Sequence, residues 1–150
     1  MATAIIDQDG ALVKFTFAVG VKNEQQYPVE ACEYAPERLR DVSMQVTEFF
    51  ERKRTYFSLD LKPEGSEFQK RVWRALIQIP FGRTCSYQEL AKAVGDIKAT
   101  QAVGAANGRN PIALIIPCHR VIGKDGRLVG YAGGLPLKRS LLDFETPLLF

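Results

Sequence analysis

No apolar run in this chain is long enough to cross a bilayer: the longest, Ile112 to Pro117, falls far short of the roughly 20 residues a span needs. The first residues include Asp7 and Asp9, so they lack the basic-then-apolar layout of an export signal. No membrane association is expected, and a cytoplasmic, intracellular protein is. Cysteine is scarce. The three present, Cys32, Cys85 and Cys118, are odd in number and form no CxxC pair, which argues against a disulfide framework and a zinc finger and leaves reduced thiols as the expectation. Histidine occurs once, as His119, so a Cys/His zinc site would have to use it together with every cysteine. No metal site is expected.

What is present suits a folded protein. With 150 residues, 46% hydrophobic and 25% charged, the chain has the length and composition to bury a core as one compact domain or a small domain leaning on a second. The net charge of +3 conceals an asymmetry. Residues 1–61 carry 7 Lys/Arg against 10 Asp/Glu, whereas residues 62–139 carry 13 against 5. The second stretch is therefore the candidate nucleic-acid surface, because phosphate neutralisation supplies most sequence-independent affinity; a solvated face is the plainer alternative.

Along the chain, Ala4 to Ile6, a turn at Asp7 to Gly10 and the alternating Leu12 to Phe17 predict a small hairpin. From Pro36 to Lys53, apolar residues at Leu39, Val42, Val46, Phe49 and Phe50 have the spacing of a helix with one buried stripe. Arg52 to Gly65 looks like a connecting segment. The rest is mostly helical and well punctuated. Ser66 with Gln69 and Ser86 with Glu89 are capping-box patterns; Pro80 stops the first of these helices and Gly95 the second. After Asp96-Ile97 a third helix runs to about Asn107-Gly108, and the last pair forms a helix-turn-helix. That third helix is rich in small residues, among them Ala99, Ala102, Gly104, Ala105 and Ala106. Close helix packing and insertion into a nucleic-acid groove are both open explanations.

Next, Ile112 to Ile116 reads as a buried strand or extended segment that delivers Pro117-Cys118-His119-Arg120. A cysteine in such a place often behaves as an inert small hydrophobe. His119 can lower the thiol pKa or relay its proton, however, and Arg120 adds potential that favours the nucleophilic thiolate. Cys32 and Cys85 have no histidine neighbour and are read as inert. A turn at Gly123 to Gly126 and the loop Gly130-Tyr131-Ala132-Gly133-Gly134 follow; the loop offers either a wall for a flat ligand or a tight turn with one packing tyrosine. A final helix, Leu137 to Glu145, is expected to bury Leu141, Leu142 and Phe144.

Several strings taken together, Gly65 to Gln69 with Val72-Trp73, Ile79 to Thr84 with Ser86-Tyr87, Ala102 to Asn107, Asn110-Pro111, Ile116 to Val121 and Gly130 to Gly134, closely resemble the O6-alkylguanine-DNA alkyltransferases. The resemblance runs in order and without gaps over roughly residues 63–146. It implies an α+β fold with a small ribonuclease H-like N-terminal domain, residues 1–62 with the connecting segment. Residues 63–150 would be a mostly helical C-terminal domain with a winged helix-turn-helix for DNA binding and alkyl transfer.

The implied activity is direct, irreversible transfer of the alkyl group from O6-alkylguanine in DNA, with O4-alkylthymine as a second candidate lesion, to Cys118 of the protein itself. The implied partner is double-stranded DNA carrying the lesion, bound through its minor groove by a monomer, with the damaged nucleotide flipped out because an in-line nucleophile cannot reach O6 inside the stack. On matching positions, Cys118 is the acceptor; His119 takes its proton through a water, and Glu145 orients and charges the imidazole. Tyr131 donates a hydrogen bond to the guanine, and the backbone around Cys118 and Val121 reads its amino edge. Asn110 ties the recognition helix to the cysteine loop, Arg120 is a brace, and Tyr87 presses on the flanking phosphate. The recognition helix approaches DNA through Ala102, Gly104 and Ala106, and the pocket is lined around Ala132 and Gly133. No cofactor is implied, and the zinc site of some family members has no ligands to spare here.

One departure stands out: Gln101 occupies the position where the family has an arginine that fills the space left by the flipped base. Gln lacks the charge and the planar guanidinium, so weaker duplex binding with intact chemistry is expected. The chief alternative function is a non-catalytic alkylated-DNA recognition protein; a cysteine hydrolase and a helix-turn-helix regulator are further alternatives.

Overall fold

The computed structural model describes residues 2–17 and 34–146. Cys32 lies outside them. Strands β1 (Ala2–Ile6) and β2 (Leu12–Phe17) form the expected antiparallel hairpin, from Ala2 opposite Phe17 to Ile6 opposite Leu12. Its turn is closed by the Asp7 carboxylate, which accepts from the Asp9 and Ala11 N–H groups at 2.9 Å each, with Gly10 at φ 87°. β2 also hydrogen-bonds two distant segments. The Leu12 N–H and carbonyl pair with Asp60 and Lys62, and those of Phe15 pair with Pro111 and Ala113. The hairpin is thereby stitched both to the connecting segment and to the chain just ahead of Cys118.

Helix α1 (Arg40–Phe50) is shorter at both ends than the Pro36 to Lys53 pattern predicts. Its N-cap Leu39 offers no side-chain acceptor, and the N–H groups of Arg38, Leu39 and Arg40 close tight three-residue turns onto Ala35, Pro36 and Glu37. Val42 and Phe49 are buried as expected, but Phe50 is on the rim and Gln45 is buried instead. Gln45 is satisfied: its amide exchanges bonds with the backbone of Ser58 and accepts from Arg54, tying the connecting segment onto α1.

Helix α2 (Glu67–Ile77) starts with the predicted capping box, the Ser66 hydroxyl accepting from Gln69 N–H while the Gln69 side chain accepts from Ser66 N–H. Strand β3 (Cys85–Ser86) leads directly into α3 (Tyr87–Val94), capped the same way by Ser86 and Glu89 and ended by Gly95 at φ 99°. A single 3-10 turn, Ile97–Ala99, then joins α4 (Thr100–Gly108). Trp73 of α2 is buried and donates its indole N–H to the Ala106 carbonyl of α4 at 2.9 Å, fixing the two helices against each other. Strand β4 (Val121–Ile122) pairs in parallel with β3, a pairing too short to leave a periodic trace, and α5 (Leu135–Glu145) closes the fold.

The segment Ile112 to Ile116 is not the expected strand. Only Ile112 bridges to β2; beyond it the chain folds back, with Leu114 at φ 69° and with Ile116 N–H reaching the Ile112 carbonyl. Ile112, Leu114 and Ile116 are all buried, so the run is apolar because it is surrounded on every side. In α5, Leu141 is buried but Leu142 and Phe144 are only partly so. The fold is α+β as expected, five helices with two small two-stranded sheets among the described residues. None of those helices is long and apolar enough to cross a membrane.

Gly65, just ahead of the α2 cap, is packed under the Trp73 ring so closely that a methyl group there would overlap it. Gly65→Ala should therefore destabilise the protein by about 1–3 kcal/mol, as overpacking does, read as a lowered urea midpoint; an unchanged midpoint would show that the indole can move aside.

Candidate active site

Cys118, His119 and Arg120 form one turn of 3-10 helix, and all three are buried. The turn is held from behind by Asn110, which follows α4: its side-chain N–H donates to the Ile116 carbonyl at 2.8 Å and its oxygen accepts from Ile112 N–H at 3.0 Å. Asn110, just after α4, is thus bonded to the chain on both sides of the approach to Cys118.

Glu145, the last residue of α5, is 2% exposed and meets both neighbours of the cysteine. The His119 Nε2–H donates to Glu145 Oε1 at 2.7 Å, the assignment that an acceptor-only carboxylate requires. Arg120 donates through Nε to Oε2 and through Nη2 to Oε1, both at 2.8 Å, and through Nη1 to the Ile79 carbonyl at 2.7 Å. With Nε2 so committed, His119 Nδ1 is left buried without a protein partner, as is the Tyr131 hydroxyl. Orphaned polar atoms of this kind are where water or substrate groups enter.

The electrostatics follow from burial. Desolvation pushes the Cys118 thiol up, opposed by the Asn110 hydrogen bond and the Lys138 charge, so the resting thiol keeps its proton. Desolvation lowers His119 more than Glu145 raises it, leaving a neutral imidazole with a free lone pair on Nδ1. Burial pushes Glu145 up, but the hydrogen bonds and charges of His119 and Arg120 outweigh it and hold the carboxyl below the usual range. Burial and the nearby Cys118 raise the Tyr131 phenol, which remains a protonated donor. A reluctant acid, a neutral base and a charged orienting carboxylate are the elements of nucleophile activation.

The remaining predicted residues divide. On α4, Gln101, Ala102 and Ala105 are exposed along one face, whereas Ala106 is buried beneath the helix. Ala106 is therefore a packing residue, not part of a contact face. Gly104 is half-buried beside the Tyr87 ring, at a distance where a methyl group would make only ordinary contact. The Tyr87 hydroxyl is taken, donating to the Val129 carbonyl at 2.8 Å. Val121 is buried, and its carbonyl already accepts from Lys138 at 2.6 Å. In the glycine loop, Ala132 is exposed and Gly133 lies against Leu137 and the Tyr131 ring.

Lys138 was missed by the sequence reasoning. It is fully buried, and its ammonium donates to the carbonyls of Val121, Val129 and Gly130, pinning both ends of the 121–130 segment to α5 near Cys118. The signal existed: Lys138, Leu141 and Glu145 are three and four residues apart, hence on one face of the helix. Among the described residues, no group of three or more His, Cys, Asp or Glu side chains could hold a metal.

Residues 67–147, more than half of the chain, match the family model described as 6-O-methylguanine DNA methyltransferase, DNA binding domain. A methylated-DNA–protein-cysteine methyltransferase of Methanosarcina barkeri is 54% identical over 106 residues, 71% of this chain and 67% of that one. One from Mycobacterium leprae is 47% identical over 124 residues, 81% of this chain and 75% of that one. Among solved structures, that of Mycobacterium tuberculosis OGT in complex with DNA superposes with a TM-score of 0.84 at 36% identity, covering 96% of this chain and 92% of its own. An O6-methylguanine DNA methyltransferase of Methanococcus jannaschii does so with a TM-score of 0.69 at 29% identity, over 99% and 90%.

Lys138→Met would leave three inward carbonyls short of a donor, and a loss of about 1–3 kcal/mol is expected in chemical denaturation. Undiminished stability would mean that water replaces the ammonium without penalty.

Proposed function

The chain belongs to the O6-methylguanine DNA methyltransferase family, and from that premise we propose that Cys118 is the residue it alkylates. The protein repairs DNA by moving the alkyl group of O6-alkylguanine onto one of its own cysteines. The observation that carries the assignment to Cys118 is the relay behind it: a neutral His119 whose Nε2–H is held by Glu145 and whose Nδ1 has no protein partner.

In the proposed reaction the thiol proton passes through a water to His119 Nδ1, and Glu145 stabilises the imidazolium that forms. The sulfur attacks the alkyl carbon, a C–S bond forms as the C–O6 bond breaks, and the purine leaves with its charge met by the Tyr131 hydroxyl. The product thioether has no good leaving group, so each molecule reacts once. Lys138, counter-charged against the transient thiolate, lowers the cost of forming it. Arg120 keeps the Glu145 carboxylate charged when His119 is neutral.

For DNA we infer that α3 and α4 act as a helix-turn-helix with the 123–126 turn as a wing, approaching the minor groove with the exposed Gln101, Ala102 and Ala105 face. The lesion would flip toward Cys118 through the loop at Tyr131, Ala132 and Gly133. Exposed Lys98, Arg109, Lys124 and Arg127 lie on or beside these elements and suit phosphate contacts. On the same reading residues 1–62 form a ribonuclease H-like domain that buttresses residues 63–150, and the protein works as a cytoplasmic monomer without a cofactor.

Incubation with a duplex containing one O6-methylguanine should add one methyl group to the Cys118 peptide, read by mass spectrometry, and none in Cys118→Ser. An unchanged mass with retained lesion binding would make the protein a recognition factor instead. Gln101→Arg should tighten lesion-duplex binding several-fold, in the range of one exposed cation–π or phosphate contact of about 0.5–1 kcal/mol, with the single-turnover rate at saturating DNA unchanged; equal affinity in a gel-shift titration would remove Gln101 from the interface.

A further inference from the structure

α1 ends in a conformation that its own residues do not favour. Lys53 N–H reaches the Glu48 carbonyl at 2.8 Å and Arg52 N–H the Phe49 carbonyl at 3.1 Å. These are the paired bonds of a Schellman ending, and they hold Arg52 at φ 62°, where glycine is the usual occupant and an L side chain is strained. What the arginine gains there is a contact: its guanidinium lies 4.1 Å from the centroid of the Phe144 ring. The same ring meets Phe49 and Phe50, each at 5.5 Å between centroids. Phe144 is thus clasped by the last turn of α1 and its cap.

The next residue is Glu145. A carboxylate at the end of a helix opposes the helix dipole, so Glu145 gains nothing electrostatically from its place in α5. His119 and Arg120 grip the carboxylate itself, while Phe144 anchors the same turn to α1. The aromatic contact continues to the other partner: Phe81 lies edge-on to Phe49 at 5.7 Å, and the Arg120 guanidinium is 5.9 Å from the Phe81 centroid.

We propose that Arg52 is a positioning residue for the alkyl-transfer site, clamping Phe144 so that Glu145 holds His119 in the orientation the proton relay needs. The inference rests on the function proposed above. Arg52→Gly tests it, because glycine removes the clamp while relieving the left-handed strain. A mere helix cap would then keep its melting temperature and its reactivity. The expected result is a melting temperature no lower than that of the unsubstituted protein, with self-methylation slowed about two- to fivefold, the size of an exposed cation–π contact. Arg52→Lys should restore most of the rate, and in a Phe144→Leu background Arg52→Gly should have no further effect. A second readout needs no substrate. The chain has one histidine, so the His119 Nε2–H gives a single NMR signal, whose exchange with solvent should speed up in Arg52→Gly and return toward normal in Arg52→Lys. Unaltered methylation and unaltered exchange would overturn the proposal. If the unsubstituted protein takes up no methyl group, the alkyl-transfer reading falls, while the exchange measurement still decides whether Arg52 positions Glu145.

Discussion

A carboxylate stays charged inside a protein only if donors replace the water it has lost, and Glu145 has three of them, one from His119 and two from Arg120. The rest of the site depends on this arrangement. Because the pair of Glu145 and Arg120 is already neutral in sum, a proton added to His119 brings an uncompensated positive charge into the interior, close to the Lys138 ammonium. Burial therefore favours the neutral imidazole at rest. Burial likewise raises the Cys118 thiol above its ordinary value.

The donors come from different parts of the chain, and the packing explains how they meet. Arg120 also caps the Ile79 carbonyl at the end of the α2 segment, and Asn110 fixes the turn before Cys118 to the end of α4. Trp73 locks α4 to α2, while β2 pairs directly with the residues leading into that turn. The N-terminal hairpin is thus covalently remote from the cysteine yet hydrogen-bonded to its approach.

The small residues of α4 fall in two places. Ala102 and Ala105 are exposed and leave the helix surface low, which suits close approach by a partner. Ala106 is buried with its carbonyl on the Trp73 indole N–H, and Gly104 lies in ordinary contact with the Tyr87 ring. The structure separates the two positions: Ala106 is buried beneath the helix, and Ala102 and Ala105 are exposed on its outer face. Gln101 stands at the exposed edge of that face, where a polar side chain can reach outward without disturbing the core.

The local elements of the fold were legible from the residues alone. Both capping boxes, the Gly95 stop, the Asp7 to Gly10 turn and the adjacency of Cys118 to His119 depend on contacts between residues at most four apart, so sequence spacing determines them. The motif strings that carry the family resemblance, Cys118 and His119 among them, were equally visible, and Glu145 followed from that resemblance. What only the tertiary structure decided is which distant groups meet. That Glu145 is shared by His119 and Arg120, that Lys138 is buried under three carbonyls, and that β2 pairs with Pro111 to Ala113 all follow from how helix faces and sheet edges come together. The same holds for Ile112 to Ile116: a run buried on all sides carries no period, so strand and turn look alike until its neighbours are in place. Periodicity records how much of a segment is covered, and not by what.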